Sequence, residues 1–212
     1  MQPVAPSKIV CVGRNYAAHA SELNNPLPER PILFMKPPSS LTSFSDIRLP
    51  VGRTDCHHEL EIALRIARDC RQIEADTALD YVDAITLALD LTLRDLQAEL
   101  KNKGQPWERA KAFDGACVVG EWIERRQLDL SQPLRFQLAV NGQLRQQGNS
   151  QDMLFPMAEL ISDISKAFSL QRGDIILTGT PAGVAALLPG DQVCAELSQA
   201  HQHWSFSGQV YG

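Results

Sequence analysis

Two glutamates spaced two residues apart carry the most informative chemistry in the chain. Glu59 and Glu61 lie in segment 57–64, where polar and apolar residues alternate, a pattern typical of a β-strand with one face on a core. Side chains at positions i and i+2 of a strand point to the same side, so we expect both carboxylates on one face. Two like charges this close repel each other, and a bound divalent cation is the usual way to keep both ionised. For this motif alone, a solvated strand face is the alternative.

A third acid, Asp90, lies in the apolar, strand-like segment 87–91. A lone carboxylate in such a segment should not be buried without a partner. If this strand pairs near the first, three carboxylates converge. Three oxygen ligands suit a hard cation, Mg²⁺ or Mn²⁺, with coordination positions left open for water or substrate.

Two further groups have residue types suited to proton transfer or anion binding. His19 and Glu22 are three residues apart in a presumed helix and therefore share a face, where they can act as a base pair; an ordinary exposed pair is the alternative. Lys111 lies among small and apolar residues and, if partly buried, can hold a substrate carboxylate or an enolate oxygen. A surface lysine is the alternative there.

A glycine-rich turn at 178–183 follows a short apolar segment and includes Gly179 and Thr180. Its backbone N–H groups can bind an anion, although on spacing alone it is an ordinary turn. It is not a nucleotide-binding Walker loop, because no Gly-Lys-Ser/Thr sequence follows.

The elements that must position these groups are mostly short strands with few helices, and no β-α-β rhythm is present. This pattern predicts a mixed, mainly antiparallel β fold. Asn141-Gly142 predicts a type I′ hairpin turn. The predicted strands are 8–12, 32–36, 57–67, 84–91, the hairpin 136–147, 175–177, 192–196 and 203–210, and the predicted helices are 15–23 and 153–168.

A further helix is predicted to open at Thr92, directly after Asp90, with Asp95 completing a capping box. Gly104 and Pro106 are expected to end it. The apolar stripe of this helix comprises Leu93, Leu96 and Leu100, and its polar face comprises Arg94, Gln97 and Lys101.

Composition narrows the class of protein. The chain has 212 residues, 44% hydrophobic, with a net charge of -5 and no basic block, which argues against nucleic-acid binding. There is no run of 18 apolar residues, and the N-terminus is polar, so neither a membrane span nor a secretory signal is expected. Five scattered cysteines without CxxC spacing favour reduced thiols and a cytoplasmic protein.

Taken together and in their order along the chain, these segments resemble the fumarylacetoacetate hydrolase family. Each segment is weakly specific alone, whereas the ordered set is highly specific and spans nearly the whole sequence. The matching segments are Gly13-Arg14-Asn15-Tyr16 with His19 and Glu22, Phe34-Met35-Lys36-Pro37, residues 57–61, Asp90-Leu91-Thr92 with Arg94, Asp95 and Gln97, residues 103–107, residues 111–115, and residues 173–184.

The resemblance implies a mainly β fold with some α: a mixed β-roll like the C-terminal domain of that family, with flanking short helices. It implies one catalytic domain over residues 1–212, with an N-terminal part over 1–50 that carries a lid helix and a metal-binding β-roll over 51–212. The family is usually dimeric, so a homodimer is expected.

The resemblance also assigns roles by position. It implies a Mg²⁺ cofactor, with Mn²⁺ as the other plausible ion. The implied metal ligands are Glu59, Glu61 and Asp90, the implied catalytic residues are His19, Glu22 and Lys111, and the implied substrate-binding residues are Arg94, Gln97, Gly179 and Thr180.

The short form of the chain is similar to the acylpyruvase and oxaloacetate decarboxylase branch. This implies cleavage of the C3–C4 bond of small 2-oxo acids, by acylpyruvate hydrolysis, oxaloacetate decarboxylation or both. The alternative within the family is an isomerase or decarboxylase of 2-hydroxy-dienedioate or 2-oxo-enedioate intermediates of aromatic catabolism. A binding protein that keeps the fold without catalysis is the alternative of a different class.

Overall fold

The computed structural model describes residues 4–212; Met1, Gln2 and Pro3, which belong to the predicted N-terminal part, lie outside the described residues. The strands are β1 (Ile9–Gly13), β2 (Ile32–Lys36), β3 (Leu41–Ser43), β4 (Ile47–Arg48), β5 (Cys56–His58), β6 (Leu60–Ile66), β7 (Val82–Asp90), β8 (Thr92–Leu93), β9 (Cys117–Val119), β10 (Ile123–Glu124), β11 (Arg135–Val140), β12 (Gln143–Asn149), β13 (Ile175–Leu177), β14 (Ala185–Ala186), β15 (Gln192–Gln199) and β16 (Gln202–Tyr211). The helices are α1 (Ala17–Glu22), α2 (Ala75–Ala78), α3 (Arg94–Asn102), α4 (Glu108–Lys111) and α5 (Met157–Ala167).

Among the described residues, the strands form sheets of eight, five and three strands. The largest has the order β2-β1-β13-β6-β7-β9-β3, with β10 also paired to β7. Most neighbours are antiparallel, while β1 with β13, β3 with β9 and β4 with β16 are parallel. The predicted class, a mainly β fold with mixed sheets and short flanking helices, is confirmed.

The centre of the largest sheet is the pair β6 and β7, and its two faces differ. Leu60 pairs with Leu89 and Glu61 with Ala88, so side chains alternate between the faces along both strands. One face packs leucines and isoleucines into the main core. The other carries Ala63, Ala88 and a small second cluster, and its acids lie at one end. Small side chains here leave room for polar groups above the sheet.

Strands of the predicted N-terminal part, residues 1–50, lie in this same sheet, since β1 pairs with β13 and β3 with β9. The predicted division of one domain into parts at residue 50 stays a prediction. No helix among residues 4–212 is long and apolar enough to cross a lipid bilayer.

The Asn141-Gly142 turn is confirmed as type I′, because both residues have positive φ, 53° and 74°. The predicted capping box at Thr92 is wrong. Thr92 belongs to β8, α3 begins at Arg94 with Leu93 as its N-cap, and the Thr92 hydroxyl donates to the Asp90 carbonyl instead. A local side-chain bond to the backbone has therefore replaced the helix cap.

Other predicted boundaries shift for tertiary reasons. The predicted strand 57–67 is two strands, β5 and β6, interrupted at Glu59. Residues 39–45 lie outside the predicted strands and helices, but they contain β3, which pairs with the distant β9. The predicted helices 15–23 and 153–168 are shorter, as α1 and α5, and the last two strands are longer because they pair along their length.

Candidate active site

The three predicted acids meet at the end of the β6–β7 pair. The Asp90 N–H donates to the Glu59 carbonyl at 2.9 Å, which extends the ladder one residue beyond Leu60 and places these two residues opposite each other. Carboxylate oxygens of Glu59, Glu61 and Asp90 all lie within 4.8 Å of one another. The three residues are only 5%, 1% and 1% exposed, so the solvated strand face is wrong.

Two buried lysines and one arginine hold two of these acids. Lys111 Nζ lies 2.7 Å from Glu59 Oε2 and 2.8 Å from Asp90 Oδ2. Lys36 Nζ lies 2.8 Å from Asp90 Oδ1 and also donates to the Lys111 carbonyl. Arg94 donates to Glu59 Oε1. Lys111 is therefore a buried residue of the acid cluster, and the surface alternative is wrong.

The charges shift the pKa values in opposite directions. Burial alone raises the pKa of Glu59, but Lys111 and Arg94 outweigh it and hold that pKa far below its usual range. Burial alone lowers the pKa of Lys111, but Asp90 and Glu59 outweigh it and raise that pKa. Both side chains are consequently ionised at neutral pH.

Glu61 differs from the other two acids. Burial, then the charges of Asp90 and Glu59, raise its pKa well above the usual range. Among the pocket cations that the structure describes, none pairs with Glu61; its Oε2 accepts the Gly179 N–H at 2.7 Å. A divalent cation among the three acids would supply the missing positive charge, so this all-oxygen set fits Mg²⁺ or Mn²⁺.

Gly179 is placed to hold Glu61 by its backbone. Its φ of +97° suits glycine, and an added Cβ would lie 2.6 Å from the Asn15 Cβ. The anion bound by this turn is thus a carboxylate of the protein itself. Its predicted contact with substrate stays a prediction.

Gln146 was not foreseen, although it joins several pieces of the site. It is fully buried on β12. Its Oε1 accepts the Leu60 N–H at 3.0 Å and faces His58 Nδ1 at 2.9 Å, while its Nε2 donates to Thr180 Oγ1 at 2.8 Å. Gln146 therefore provides the hydrogen-bond acceptor for the Leu60 N–H at the point where β5 and β6 are interrupted beside Glu59. The only sequence signal was alternation with Gly148, since both positions face inwards.

Thr180 lines the cavity, but its hydroxyl has restricted donor capacity. Its single proton is donated to the Leu60 carbonyl at 2.8 Å, and it accepts from Gln146. Toward a substrate, the hydroxyl is left as an acceptor. Gln97, on α3, accepts from Arg94 at 2.7 Å, which leaves its amide N–H groups to donate into the cavity.

The short helix α1 carries the predicted pair, and its His19 lines the same cavity as the acids. His19 Nδ1 lies 3.3 Å from Glu22 Oε2, and Glu22 Oε1 accepts the Gly183 N–H at 3.0 Å. Burial lowers the pKa of His19 in spite of the opposing charges of Glu59 and Glu22, so the ring is neutral at pH 7. Because a carboxylate accepts, Nδ1 carries the proton and Nε2 keeps a lone pair. The exposed-pair alternative fails for His19, which is buried.

These groups surround one cavity of about 40 Å³, which is enough space for an ion or a few waters before anything moves. The predicted residues that line it are His19, Glu59, Glu61, Asp90, Arg94, Gln97, Lys111 and Thr180. Glu22 does not line the cavity but contacts His19, which does. Gly179 likewise contacts the cavity residue Glu61 through its backbone N–H. The arrangement can therefore bind a cation, stabilise a developing oxyanion and move a proton within a few ångströms.

Comparison with known proteins identifies a family and several relatives. Residues 8–203 match the family described as fumarylacetoacetate (FAA) hydrolase, C-terminal. The chain is 42% identical over 188 residues to the mitochondrial oxaloacetate tautomerase of Bos taurus, covering 88% of this chain and 85% of that protein. It is also 42% identical over 188 residues to the mitochondrial oxaloacetate decarboxylase of Dictyostelium discoideum, covering 88% and 86%.

A solved structure shares the fold over the full chain. The fumarylpyruvate hydrolase of Pseudomonas aeruginosa, in complex with Mn²⁺ and pyruvate, superposes with a TM-score of 0.90 at 30% identity. The alignment covers 100% of this chain and 98% of that one.

Proposed function

Because the chain belongs to the fumarylacetoacetate hydrolase family, we propose that it is a metal-dependent enzyme that cleaves the C3–C4 bond of short 2-oxo acids. The reactions are acylpyruvate hydrolysis to pyruvate plus a carboxylate, and oxaloacetate decarboxylation to pyruvate plus CO₂. The observation that carries the proposal is the convergence of three buried acids, Lys111 and the His19–Glu22 pair on one cavity.

The proposed cofactor is Mg²⁺, with Mn²⁺ as the alternative, held by Glu59, Glu61 and Asp90. Support comes from the oxygen-only ligands and from Glu61, the buried acid that lacks a cationic partner. When bound, the ion supplies Lewis-acid stabilisation of the charge that develops on the 2-oxo oxygen. Lys36 and Gly179 hold Asp90 and Glu61 in place through the contacts described above.

Both cleavages leave a pyruvate enolate, and fixed donors of the chain face the place where it forms. Lys111 carries a permanent positive charge in a buried site, where electrostatic stabilisation is strongest. Gln97 adds amide N–H donors whose orientation Arg94 fixes through its 2.7 Å bond. These groups need no reorganisation during the reaction, because neighbouring side chains already hold them.

Hydrolysis also needs a base, and we assign that role to His19. Its neutral ring accepts a proton from water at Nε2, while Glu22 orients the ring and stabilises the resulting imidazolium. The activated water attacks the distal carbonyl of an acylpyruvate, and the C3–C4 electrons become the enolate, which is then protonated at C3. Decarboxylation of oxaloacetate needs no water, so it should depend less on His19.

A second candidate is tautomerisation, the interconversion of enol and keto oxaloacetate, which the name of the Bos taurus relative favours. It passes through the enolate of oxaloacetate, which keeps the C4 carboxylate, and requires proton transfer at C3 without bond cleavage, which His19 is placed to perform. Isomerisation or decarboxylation of longer dienedioates would require the cavity of about 40 Å³ to open further than the shorter oxaloacetate does.

The test measures pyruvate release from acetylpyruvate and from oxaloacetate by the purified protein with Mg²⁺ and after chelation. Free Mg²⁺ also accelerates the decay of oxaloacetate, so each assay needs a metal blank without protein. The decay of enol-oxaloacetate absorbance is followed in parallel. Metal-dependent pyruvate above the blank supports cleavage, accelerated enol decay alone supports tautomerisation, and neither activity in the metal-loaded protein would remove both candidates.

A homodimer and a cytoplasmic location also belong to this proposal. The dimer follows from family resemblance, and light scattering of the purified protein tests it. The location is supported by the five unpaired cysteines; the relatives from Bos taurus and Dictyostelium discoideum are both described as mitochondrial, so fractionation of the source cells is the direct measurement.

A further inference from the structure

We propose that Arg14 and Lys101 form a second anion site at the outer end of the same cavity, which binds the distal carboxylate of a dicarboxylic 2-oxo acid. The inference rests on the proposed function and narrows its substrate class. Substrates with a carboxylate at the far end, such as oxaloacetate, would be preferred over acylpyruvates whose far end is a neutral acyl group.

The first observation is position. Arg14 and Lys101 line the cavity that the three acids close at its inner end. Lys101 is seven residues beyond Arg94 on α3 and so lies on the same face. Seven residues correspond to a rise of about 10 Å along the helix axis. The two cations of α3 thus mark the inner and outer ends of one cavity.

The second observation is the lack of charge partners. The inner cations Lys36, Lys111 and Arg94 each pair with an acid. By contrast, neither Arg14 nor Lys101 forms an ion pair with any residue in the described range 4–212; Lys101 Nζ donates only to Asn25 Oδ1, at 3.3 Å.

Burial and neighbouring positive charge both act on the Lys101 ammonium. Partial burial first, and then the charges of Arg14 and Arg94, lower the pKa of Lys101. The cations are therefore close enough to repel one another, although long side chains at a protein surface are free to move apart. A bound carboxylate would relieve this repulsion.

The third observation concerns the backbone of Arg14. Its φ is 59°, a left-handed conformation that is unfavourable for a residue with a Cβ and that tends to persist at functional sites. The chain must turn here because the next residue, Asn15, is locked by bonds to Phe155 and to the Thr178 carbonyl. Glycine would adopt this turn at lower cost, yet the position holds an arginine, and that arginine lines the cavity.

The chemistry of the substrate fits these positions. The reacting 2-oxo end must lie beside Lys111 and the three acids, so the group attached beyond C3 extends past His19 toward the cavity mouth. A guanidinium presents paired donors that match a carboxylate, and an ammonium adds charge. General attraction to positive charge would also favour a dicarboxylate, which carries one more negative charge, but removing any nearby lysine would weaken it to a similar extent.

The experiment compares two stable ligands of equal chain length, 2-oxoglutarate and 2-oxopentanoate, which differ in the distal carboxylate. Calorimetric titration at fixed ionic strength uses the Mg²⁺-loaded wild type, Arg14→Gln, Arg14→Lys and Lys101→Gln. Lys103→Gln is the matched control, because Lys103 lies on the same helix end, is exposed and already pairs with Glu99.

The wild type should bind 2-oxoglutarate about tenfold more tightly than 2-oxopentanoate, the gain of one charge-assisted pair. Arg14→Gln should remove most of that preference, Lys101→Gln should reduce it less, and Arg14→Lys and Lys103→Gln should retain it. Retained binding of 2-oxopentanoate would show that Arg14→Gln is folded.

A wild-type protein that binds both ligands equally would overturn the proposal, as would equal losses for both ligands in Arg14→Gln. Failure of the proposed function looks different. In that case oxaloacetate and acetylpyruvate give no metal-dependent product, whereas failure of the second anion site leaves those activities intact.

Discussion

The inner and outer ends of the cavity are built in opposite ways. At the inner end, Glu59 and Asp90 sit opposite each other on paired central strands, and buried lysines lie within 2.8 Å of their oxygens. At the outer end, the six-residue helix α1 is held by a few contacts, among them the 3.0 Å bond from Gly183 to Glu22. The inner end is therefore part of the central sheet, whereas the outer end is a short helix that contacts the sheet through few hydrogen bonds.

This difference indicates a division of labour. Electrostatic stabilisation of an enolate requires donors and charges that are in place before the reaction, and the sheet supplies that rigidity. A cavity of about 40 Å³ must widen before a substrate can enter. A short helix held by few hydrogen bonds requires the least free energy to displace. Changes at the inner end should therefore affect every reaction, and changes at the outer end should be selective.

The largest effect is expected for Asp90→Asn. The variant loses a proposed metal ligand and leaves Lys36 and Lys111 facing a neutral amide. Losing one of three metal ligands should weaken Mg²⁺ binding and raise the activation free energy by about 4 kcal/mol, so all metal-dependent turnover should fall roughly thousandfold. Pyruvate release and calorimetric titration with Mg²⁺ measure the two losses. Asp80→Asn, at an exposed position, is the control and should behave as wild type; normal Mg²⁺ affinity in Asp90→Asn would refute the ligand assignment.

His19→Ala tests whether the outer end is selective. Loss of a general base should lower acetylpyruvate hydrolysis about hundredfold, while oxaloacetate decarboxylation, which needs no water, should fall less than about tenfold. Steady-state kinetics on both substrates give the ratio. The control His203→Ala changes an exposed histidine on β16, in the five-stranded sheet. Equal losses on both substrates would mean that His19 is not a selective activator of water.

Gln146→Leu should have an intermediate effect, because Gln146 contacts the inner end through the Leu60 backbone and the Thr180 hydroxyl and not through a metal ligand. The Leu60 N–H loses its acceptor at the strand break, which should lower the free energy of unfolding by about 2 kcal/mol. Metal affinity should fall about thirtyfold, as for other groups that orient ligands. Gln147→Leu is a closely matched control, since the adjacent side chain is exposed. Unchanged metal affinity with lowered stability would make Gln146 purely structural.

The inner end was largely predictable from the sequence because the positions of its acids follow from short-range sequence patterns. The spacing of Glu59 and Glu61 places them on one strand face, and an acid in an apolar segment must find partners, which correctly brought Asp90 to them. Their role as metal ligands remains a proposal, but their convergence is observed. Two-residue periodicity survives tertiary context because it is a property of the extended backbone.

What could not be predicted depends on contacts between distant segments. Gln146 lies 86 residues from Leu60 in a run of polar residues that resembles any hairpin edge. The burial of Lys111 follows from α4 packing over the acids, which composition does not encode. The helix predicted at Thr92 began later because the threonine hydroxyl bonds to the Asp90 carbonyl at 3.1 Å. Each of these outcomes was decided by a partner rather than by the residue's own preference.

The smallest effect on activity is expected at the other end of β13, where Asp174 anchors the N-terminal segment. Asp174 accepts bonds from the Ser7 N–H, the Ser7 hydroxyl and the Gln171 N–H, and pairs with Lys8 at 2.6 Å. Burial alone would raise the pKa of Asp174, but the bonds from Lys8, Gln171 and Ser7 outweigh it and lower that pKa. The stability that Asp174 contributes is thus present above the unfolded pKa of about 3.9 and is lost as pH falls through the lower folded value.

Asp174→Asn should therefore lower the free energy of unfolding by about 2 kcal/mol at pH 7, and the difference from wild type should shrink at more acidic pH. Urea denaturation at a series of pH values measures both. Mg²⁺ affinity and turnover at 25 °C should stay within about twofold of wild type, because the folded population remains dominant. If Asp174→Asn instead lost metal affinity as Asp90→Asn does, the acid cluster would depend on overall stability, and the contrast between a prebuilt inner end and a fastened outer end would fail.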